Sequence, residues 1–151
     1  MLNPDYRDIL SEFIEGGVEF LVVGAYALAA HGLPRATGDI DLWIARSGEN
    51  ADRVLRALKR FGAPGSGWAA EDLQKPDMVF QIGVEPCRID ILTSIAGIRF
   101  SDAWNRRMTV ETDGLQVPFV GRQDLIASKE AADRPQDRAD VARLKKQGSP
   151  E

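Results

Sequence analysis

Asp39 and Asp41 stand two apart in the run Asp39-Ile40-Asp41-Leu42-Trp43-Ile44, and Asp90 stands alone in Arg88-Ile89-Asp90-Ile91-Leu92. Side chains at i and i+2 of a strand leave the same face. Asp39 and Asp41 therefore point together, while Ile40, Leu42 and Ile44 turn towards the core. Two carboxylates held so close repel and are driven towards protonation unless a cation lies between them. A divalent ion explains the pair better than stability does. Alternation also separates Asp90 from Ile89 and Ile91, which makes it a third carboxylate on a core strand. Oxygen ligands of this kind suit Mg²⁺, with Mn²⁺ as the alternative, and such an ion keeps waters for substrate phosphates to replace. The expected chemistry is an in-line attack on a nucleoside triphosphate organised by two ions about 3.5–4 Å apart. One ion would sit on Asp39 and Asp41. The second, bridged by them and completed by Asp90, would lower the pKa of an attacking hydroxyl. The bland alternative is an Asp-x-Asp that merely marks a strand edge or caps a loop. The metal reading requires Asp90 to face the other two, with no lysine or arginine lodged permanently among them.

These residues need strands to carry them, and the pattern supplies strands. Phe20 to Val23 is short, β-branched and bounded by glycine, as a buried strand is. Asp39 to Ala45 reads as a second. Met78 to Ile82 and Cys87 to Leu92 pair as an antiparallel hairpin across residues 83–86. Thr109 to Glu111 and Leu115 to Val120 form another, turned at Asp113-Gly114. Among the helices, Asn3 caps a first one with Pro4 at its opening position, and Gly16-Gly17 ends it. Ala25 to His31 is alanine-rich and closed by Gly32. Ala51 to Phe61 follows, with Val54, Leu55, Leu58 and Phe61 inward. Residues 62–67 form a Gly/Pro/Ser loop. The tail from Gln123 to Gln147 is helical in two pieces broken at Pro135, and residues 148–151 fray. The fold class expected is α/β (α+β), a mixed sheet flanked by helices. It forms a single domain over 1–151, with a core of about 1–121 and C-terminal helices at about 122–147.

With the elements placed, the motif string resembles the nucleotidyltransferase superfamily typified by DNA polymerase β. That pattern runs from a strand through a glycine turn and a short helix to Asp-x-Asp, with a third carboxylate on a later strand. Here the pieces are Gly24-Ala25, Asp39/Asp41 and Asp90. The stretch Gly24-Ala25-Tyr26-Ala27 … Arg35-Ala36-Thr37-Gly38-Asp39-Ile40-Asp41 is similar to a branch of stand-alone minimal nucleotidyltransferases of the AbiEii and MNT toxin–antitoxin type. Lys129, followed by Arg134 and Asp137, resembles the same branch's C-terminal helical motif. The resemblance spans about residues 20–145. It implies a polymerase β-like fold and two-metal transfer of an NMP from an NTP to a hydroxyl on an RNA or tRNA end, a protein tyrosine or a small molecule. It also implies nucleotide binding by Gly24, Ala25, Arg35, Thr37 and Lys129. Ala25 departs from the pattern, since a serine there would offer the triphosphate a hydroxyl and alanine cannot. Gly24 and the neighbouring backbone N–H groups remain.

Other residues carry a functional and a structural reading side by side. Arg35 suits a phosphate or a surface ion pair. Thr37 suits the turn before the strand. Lys129 would neutralise a triphosphate with Asp137 orienting it, or lie on a solvated helix face. His31, the single histidine, reads as a helix C-cap, Tyr26 and Trp43 as packing, and Cys87 as a small buried hydrophobe. The mixed charges from Asp133 to Lys146 read as a solvated helix face.

The chain of 151 residues is 44% hydrophobic and 28% charged, with a net charge of -4. That balance argues against a protein that coats nucleic acid through summed phosphate contacts. One cysteine permits no intrachain disulfide, and no signal peptide or membrane span is evident at the start, so a cytoplasmic setting is expected. Two further readings stay open: a catalytically weak, antitoxin-like binding module that keeps the fold, favoured by Ala25, and a glycosyltransferase that uses Asp-x-Asp to hold a metal and nucleotide-sugar.

Overall fold

A computed structural model describes residues 2–63 and 67–147. Residues 64–66 of the expected loop and the end expected to fray lie outside them. The elements run α1 (Pro4–Glu15), β1 (Phe20–Val23), α2 (Gly24–Ala30), β2 (Asp39–Ile44), α3 (Gly48–Phe61), β3 (Val79–Ile82), β4 (Arg88–Leu92), α4 (Phe100–Asn105), β5 (Met108–Thr112), β6 (Leu115–Phe119), α5 (Arg122–Ala132) and α6 (Pro135–Gln147). A 3₁₀ turn at Asp72–Gln74 and helix α4 are additions to the sequence reading. The second of these is short and its sequence, FSDAWN, lacks a side-chain cap at Arg99.

The six strands form one mixed sheet in the order β3-β4-β2-β1-β6-β5. The central contacts are antiparallel β1–β2 and parallel β2–β4, and the two expected hairpins, β3–β4 and β5–β6, flank them. The mixed α/β class with C-terminal helices is as expected.

Local chemistry accounts for the boundaries. Asn3 accepts a hydrogen bond from the Tyr6 N–H, and Pro4 opens α1. Helix α3 begins three residues before the expected start, because Ser47 accepts from the Asn50 N–H and caps it. Asn50, 1% exposed, then bonds Glu19 and Ala45 backbone groups and ties α3 to the ends of β1 and β2. This inward face includes Ala51 and Ala57 with Val54 and Leu58; Leu55 and Phe61 are only partly buried. The β5–β6 turn uses positive φ at Asp113 and Gly114, the pairing a tight hairpin favours. In β2, Ile40, Leu42 and Ile44 are buried as expected, and Trp43 is buried too, so the far end of the strand is covered on both faces. No helix among the described residues is long and apolar enough to cross a membrane.

Candidate active site

The register of β2 against β4 builds the site. Asp39 lies beside Arg88 and Asp41 beside Asp90 in a parallel ladder. Alternation sends all four side chains to one face. The result is a patch of three acids and one arginine on strands spaced at about 4.8 Å. Asp39, Asp41 and Asp90 each offer a carboxylate oxygen, and these atoms lie within 4.8 Å of one another. Asp90 thus faces the other two.

The carboxylates are not unpartnered as the sequence reading supposed. Arg88 donates from Nη2 to Asp39 Oδ2 at 2.9 Å, from Nε to Asp90 Oδ1 at 2.9 Å and from Nη2 to Asp90 Oδ2 at 3.2 Å. Its other nitrogen lies 3.5 Å from the exposed carboxylate of Glu85. The Tyr6 hydroxyl donates to the backbone oxygens of Pro86 and Arg88, which anchors the start of β4 on α1. Arg88 was the main omission from the sequence reading. Its signal was available, since Arg88 and Asp90 are two apart on the same strand.

Asp41 behaves differently. It has no part in the arginine's hydrogen bonds, and burial, reinforced by the charges of Asp39 and Asp90, pushes its carboxyl up to about 7. Asp90 is also raised, burial outweighing the Arg88 bond. Asp39 goes the other way: burial opposes it, but hydrogen bonds with Thr37, Asp90 and Arg88 prevail and lower it. Thr37 donates to Asp39 Oδ1 at 2.8 Å and so positions a carboxylate, besides shaping the turn.

Gly24 shows why the turn carries glycine. Its φ is +70°, and a Cβ there would lie 2.0 Å from Asp41 Oδ2. The turn backbone therefore touches the carboxylate, which no side chain at position 24 would permit. Ala25 follows as the second residue of α2, partly buried.

Lys129 shares a cavity of about 260 Å³ with Gly24 and Asp41, lined also by Leu92, Arg134 and Asp137. Lys129 is not on a solvated face: its side chain is 14% exposed, and Nζ lies 3.3 Å from Asp137 and 3.0 Å from Asp140. Asp140 in turn holds Arg35 at 2.5 Å, and Arg134 holds Asp137 at 2.6 Å. The ion-pair reading of Arg35 is the one observed, though its partner is a buried group. The chain Arg35–Asp140–Lys129–Asp137–Arg134 carries three positive and two negative charges and joins the loop before β2 to both C-terminal helices. Asp140, missed in the sequence, sits at the centre of it. His31 caps α2 and bonds the Val120 carbonyl at 2.9 Å. Tyr26 packs edge-on against Tyr6, whereas Cys87 is only half-buried.

With three carboxylates and a guanidinium on one face, the site has the donor set for a divalent ion in place of the arginine. A family model described as "Nucleotidyl transferase of unknown function (DUF2204)" matches residues 3–149. A search of curated proteins finds no match. Solved structures share the fold. A provisionally assigned nucleotidyltransferase from Thermotoga maritima has TM-score 0.61 at 18% identity, covering 97% of this chain and 94% of that one. The lincosamide antibiotic adenylyltransferase LnuA, bound to lincomycin, has TM-score 0.60 at 15% identity, covering 96% and 97%. ANT(2")-Ia in complex with adenylyl-2"-tobramycin has TM-score 0.55 at 15% identity, covering 95% and 87%.

Proposed function

The chain belongs to the DUF2204 family of nucleotidyl transferases, and from that premise we propose that it moves a nucleoside monophosphate from an NTP to a hydroxyl acceptor, releasing pyrophosphate. The observation that carries the reading is the convergence of Asp39, Asp41 and Asp90 from two adjacent strands, with ligand atoms within 4.8 Å of one another. A positively charged guanidinium already bridges two of the three, so the patch accepts a cation. Asp39, Asp41 and Asp90 would hold Mg²⁺, or Mn²⁺, which would supply charge neutralisation at the α-phosphate and an acidified acceptor hydroxyl.

The protein's own groups do the rest. The acceptor oxygen attacks the α-phosphorus, the bond to the bridging oxygen breaks, and the β- and γ-phosphates leave together. Gly24 keeps its backbone clear so that Asp41 and a phosphate can approach the same turn. Lys129 and Arg134, which line the same cavity as Asp41, neutralise the triphosphate, while Asp137 and Asp140 fix Lys129 in place. Arg35 and Thr37 complete the nucleotide side, Thr37 by orienting Asp39. Asp90, which faces the other two carboxylates, is placed to receive the acceptor's proton. The acceptor is an RNA or tRNA end, a protein tyrosine as in a toxin–antitoxin pair, or a small molecule. LnuA bound to lincomycin and the adenylylated tobramycin of ANT(2")-Ia support the last of these.

A second reading, a binding module with weak catalysis, draws on Ala25 and on Arg88 standing among the carboxylates. Calorimetry with Mg²⁺ and each of the four NTPs separates the two. Metal-dependent NTP binding and transfer of an α-labelled phosphate support the transferase; NTP binding absent with and without metal supports the module.

A further inference from the structure

Beside Trp43 lies a groove of about 850 Å³ that the nucleotide chemistry does not use. Trp43 follows Asp41 by two residues on the same face of β2, so the groove begins roughly 7 Å along the strand from the carboxylates. Ile95, Ala96 and Ile98 border both this groove and the Asp41 cavity, which makes the two spaces neighbours across one turn.

Three features of the groove define a ligand. The Trp43 side chain is 1% exposed, yet its indole N–H finds no hydrogen-bond acceptor among the described residues. A buried donor without a partner is costly and calls for an explanation. The Phe100 ring stands edge-on to Trp43 at 5.1 Å and stacks on Trp104 at 5.7 Å, which gives the groove an aromatic wall. Apart from Ala45 and residues 95–98, the rest of the lining is polar and its charges balance: Glu19 and Asp77 offset Arg46 and Arg99. Ser101 and Asn105 have no side-chain hydrogen bond within the protein among the described residues, and both groups can donate and accept. A balanced lining gives no advantage to a phosphate backbone, and groups that both donate and accept match hydroxyls.

We propose that this groove is the acceptor subsite of the transferase and takes a neutral, hydroxyl-rich ring compound, a sugar or glycoside. The proposal rests on the transferase reading above. A ring seated against the Phe100–Trp104 wall brings its hydroxyls to Ser101 and Asn105 and an oxygen towards the unpartnered Trp43 N–H.

The test uses the full chain carrying Trp68→Phe, so that fluorescence comes from Trp43 and Trp104 alone. Methyl glucoside, N-acetylglucosamine, sucrose and the oligonucleotide tri-adenylate are each titrated without metal or NTP. A saturable change with at least one sugar, weakened about tenfold or more by Ser101→Ala combined with Asn105→Ala, is expected. Both substitutions are on polar lining positions, and a circular-dichroism melt confirms that the variant is folded. No saturable change with any sugar, saturation by tri-adenylate alone, or an unchanged affinity in the folded double variant overturns the proposal. Metal-dependent NTP binding is measured separately on the same protein. Its loss together with intact sugar binding condemns the transferase reading and the acceptor role with it, whereas failed sugar binding leaves that reading standing.

Discussion

Arg88 Nη2 donates to Asp39 Oδ2 at 2.9 Å, so an arginine stands where a cation shared by Asp39 and Asp90 would lie. The parallel register that sets Asp41 beside Asp90 also sets Asp39 beside Arg88. One geometric fact therefore creates both the acidic cluster and its internal counter-charge. The Arg88 side chain is 26% exposed and has Glu85 at 3.5 Å as a third anionic neighbour, so it can leave the other two carboxylates without being stranded.

Replacing Arg88 with methionine is expected to separate the two roles of that charge. The metal-free variant melts lower than the parent, because three carboxylates then face one another without a cation. Mg²⁺ raises its melting temperature by more than it raises the parent's, since no side chain competes for Asp39 and Asp90. Paired thermal melts with and without Mg²⁺ check this; an equal Mg²⁺ effect in both proteins would mean that Arg88 does not occupy the ion's place.

Gly24→Ala strains the backbone at φ +70° and drives a methyl group into Asp41. The conformational cost alone is on the order of 1–2 kcal/mol. Displacement of Asp41 should in addition reduce metal affinity by about a hundredfold, in line with a loss of about 2.7 kcal/mol. Calorimetric Mg²⁺ titration of the folded variant measures it. An unchanged affinity would show that the close approach of turn and carboxylate has no part in the site.

The pH dependence follows from Asp41, whose carboxyl is pushed up to about 7 by burial and then by Asp39 and Asp90. An unfolded aspartate titrates near about 3.9. Between those values the folded chain binds a proton that the unfolded chain does not, so this group favours folding as pH falls from about 7 and opposes it as pH rises. Mg²⁺ must displace the same proton, and its apparent affinity should climb with pH up to about 7, by up to about tenfold per unit. Asp41→Asn removes both effects, leaving the metal-free fold as stable or slightly more so. Asp39→Asn lacks that benefit, because Asp39 is lowered and tied to Arg88 and Thr37. Melts in EDTA and Mg²⁺ titrations from about pH 5.5 to about pH 8 test the pair.

Asp140→Ala leaves Lys129 and Arg35 without the carboxylate they share. Asp140 is 1% exposed and Lys129 nearly buried, so the stability loss should be about 3 kcal/mol, the scale for breaking a buried ion pair. The accompanying effect on function is a weaker NTP affinity with metal affinity unchanged. If metal binding fell equally, the C-terminal network would be supporting the carboxylates rather than the triphosphate.

Much of this was legible in residue spacing. Period-two alternation exposed Asp39, Asp41 and Asp90 as carboxylates on otherwise apolar strands, and Asp113-Gly114 and Gly16-Gly17 marked their turns plainly. What alternation cannot supply is which strand lies beside which. Without the β2–β4 register, Arg88 was one more charge at a strand end, although its place two before Asp90 put it on the right face. Lys129 and Asp140 lie on two successive helices, α5 and α6, whose mixed charges look solvated in sequence, and only the docking of one on the other buries them. Helix α4 has neither a side-chain cap nor the length for a period to emerge.

The most direct test soaks crystals of the protein with Mn²⁺ and a non-hydrolysable NTP and locates the ion by its anomalous scattering. The account predicts a peak between Asp39, Asp41 and Asp90, with the Arg88 guanidinium withdrawn from Asp39 and the triphosphate towards Lys129. Arg88 still bonded to Asp39 and Asp90, with no peak beside them at saturating Mn²⁺, would contradict it.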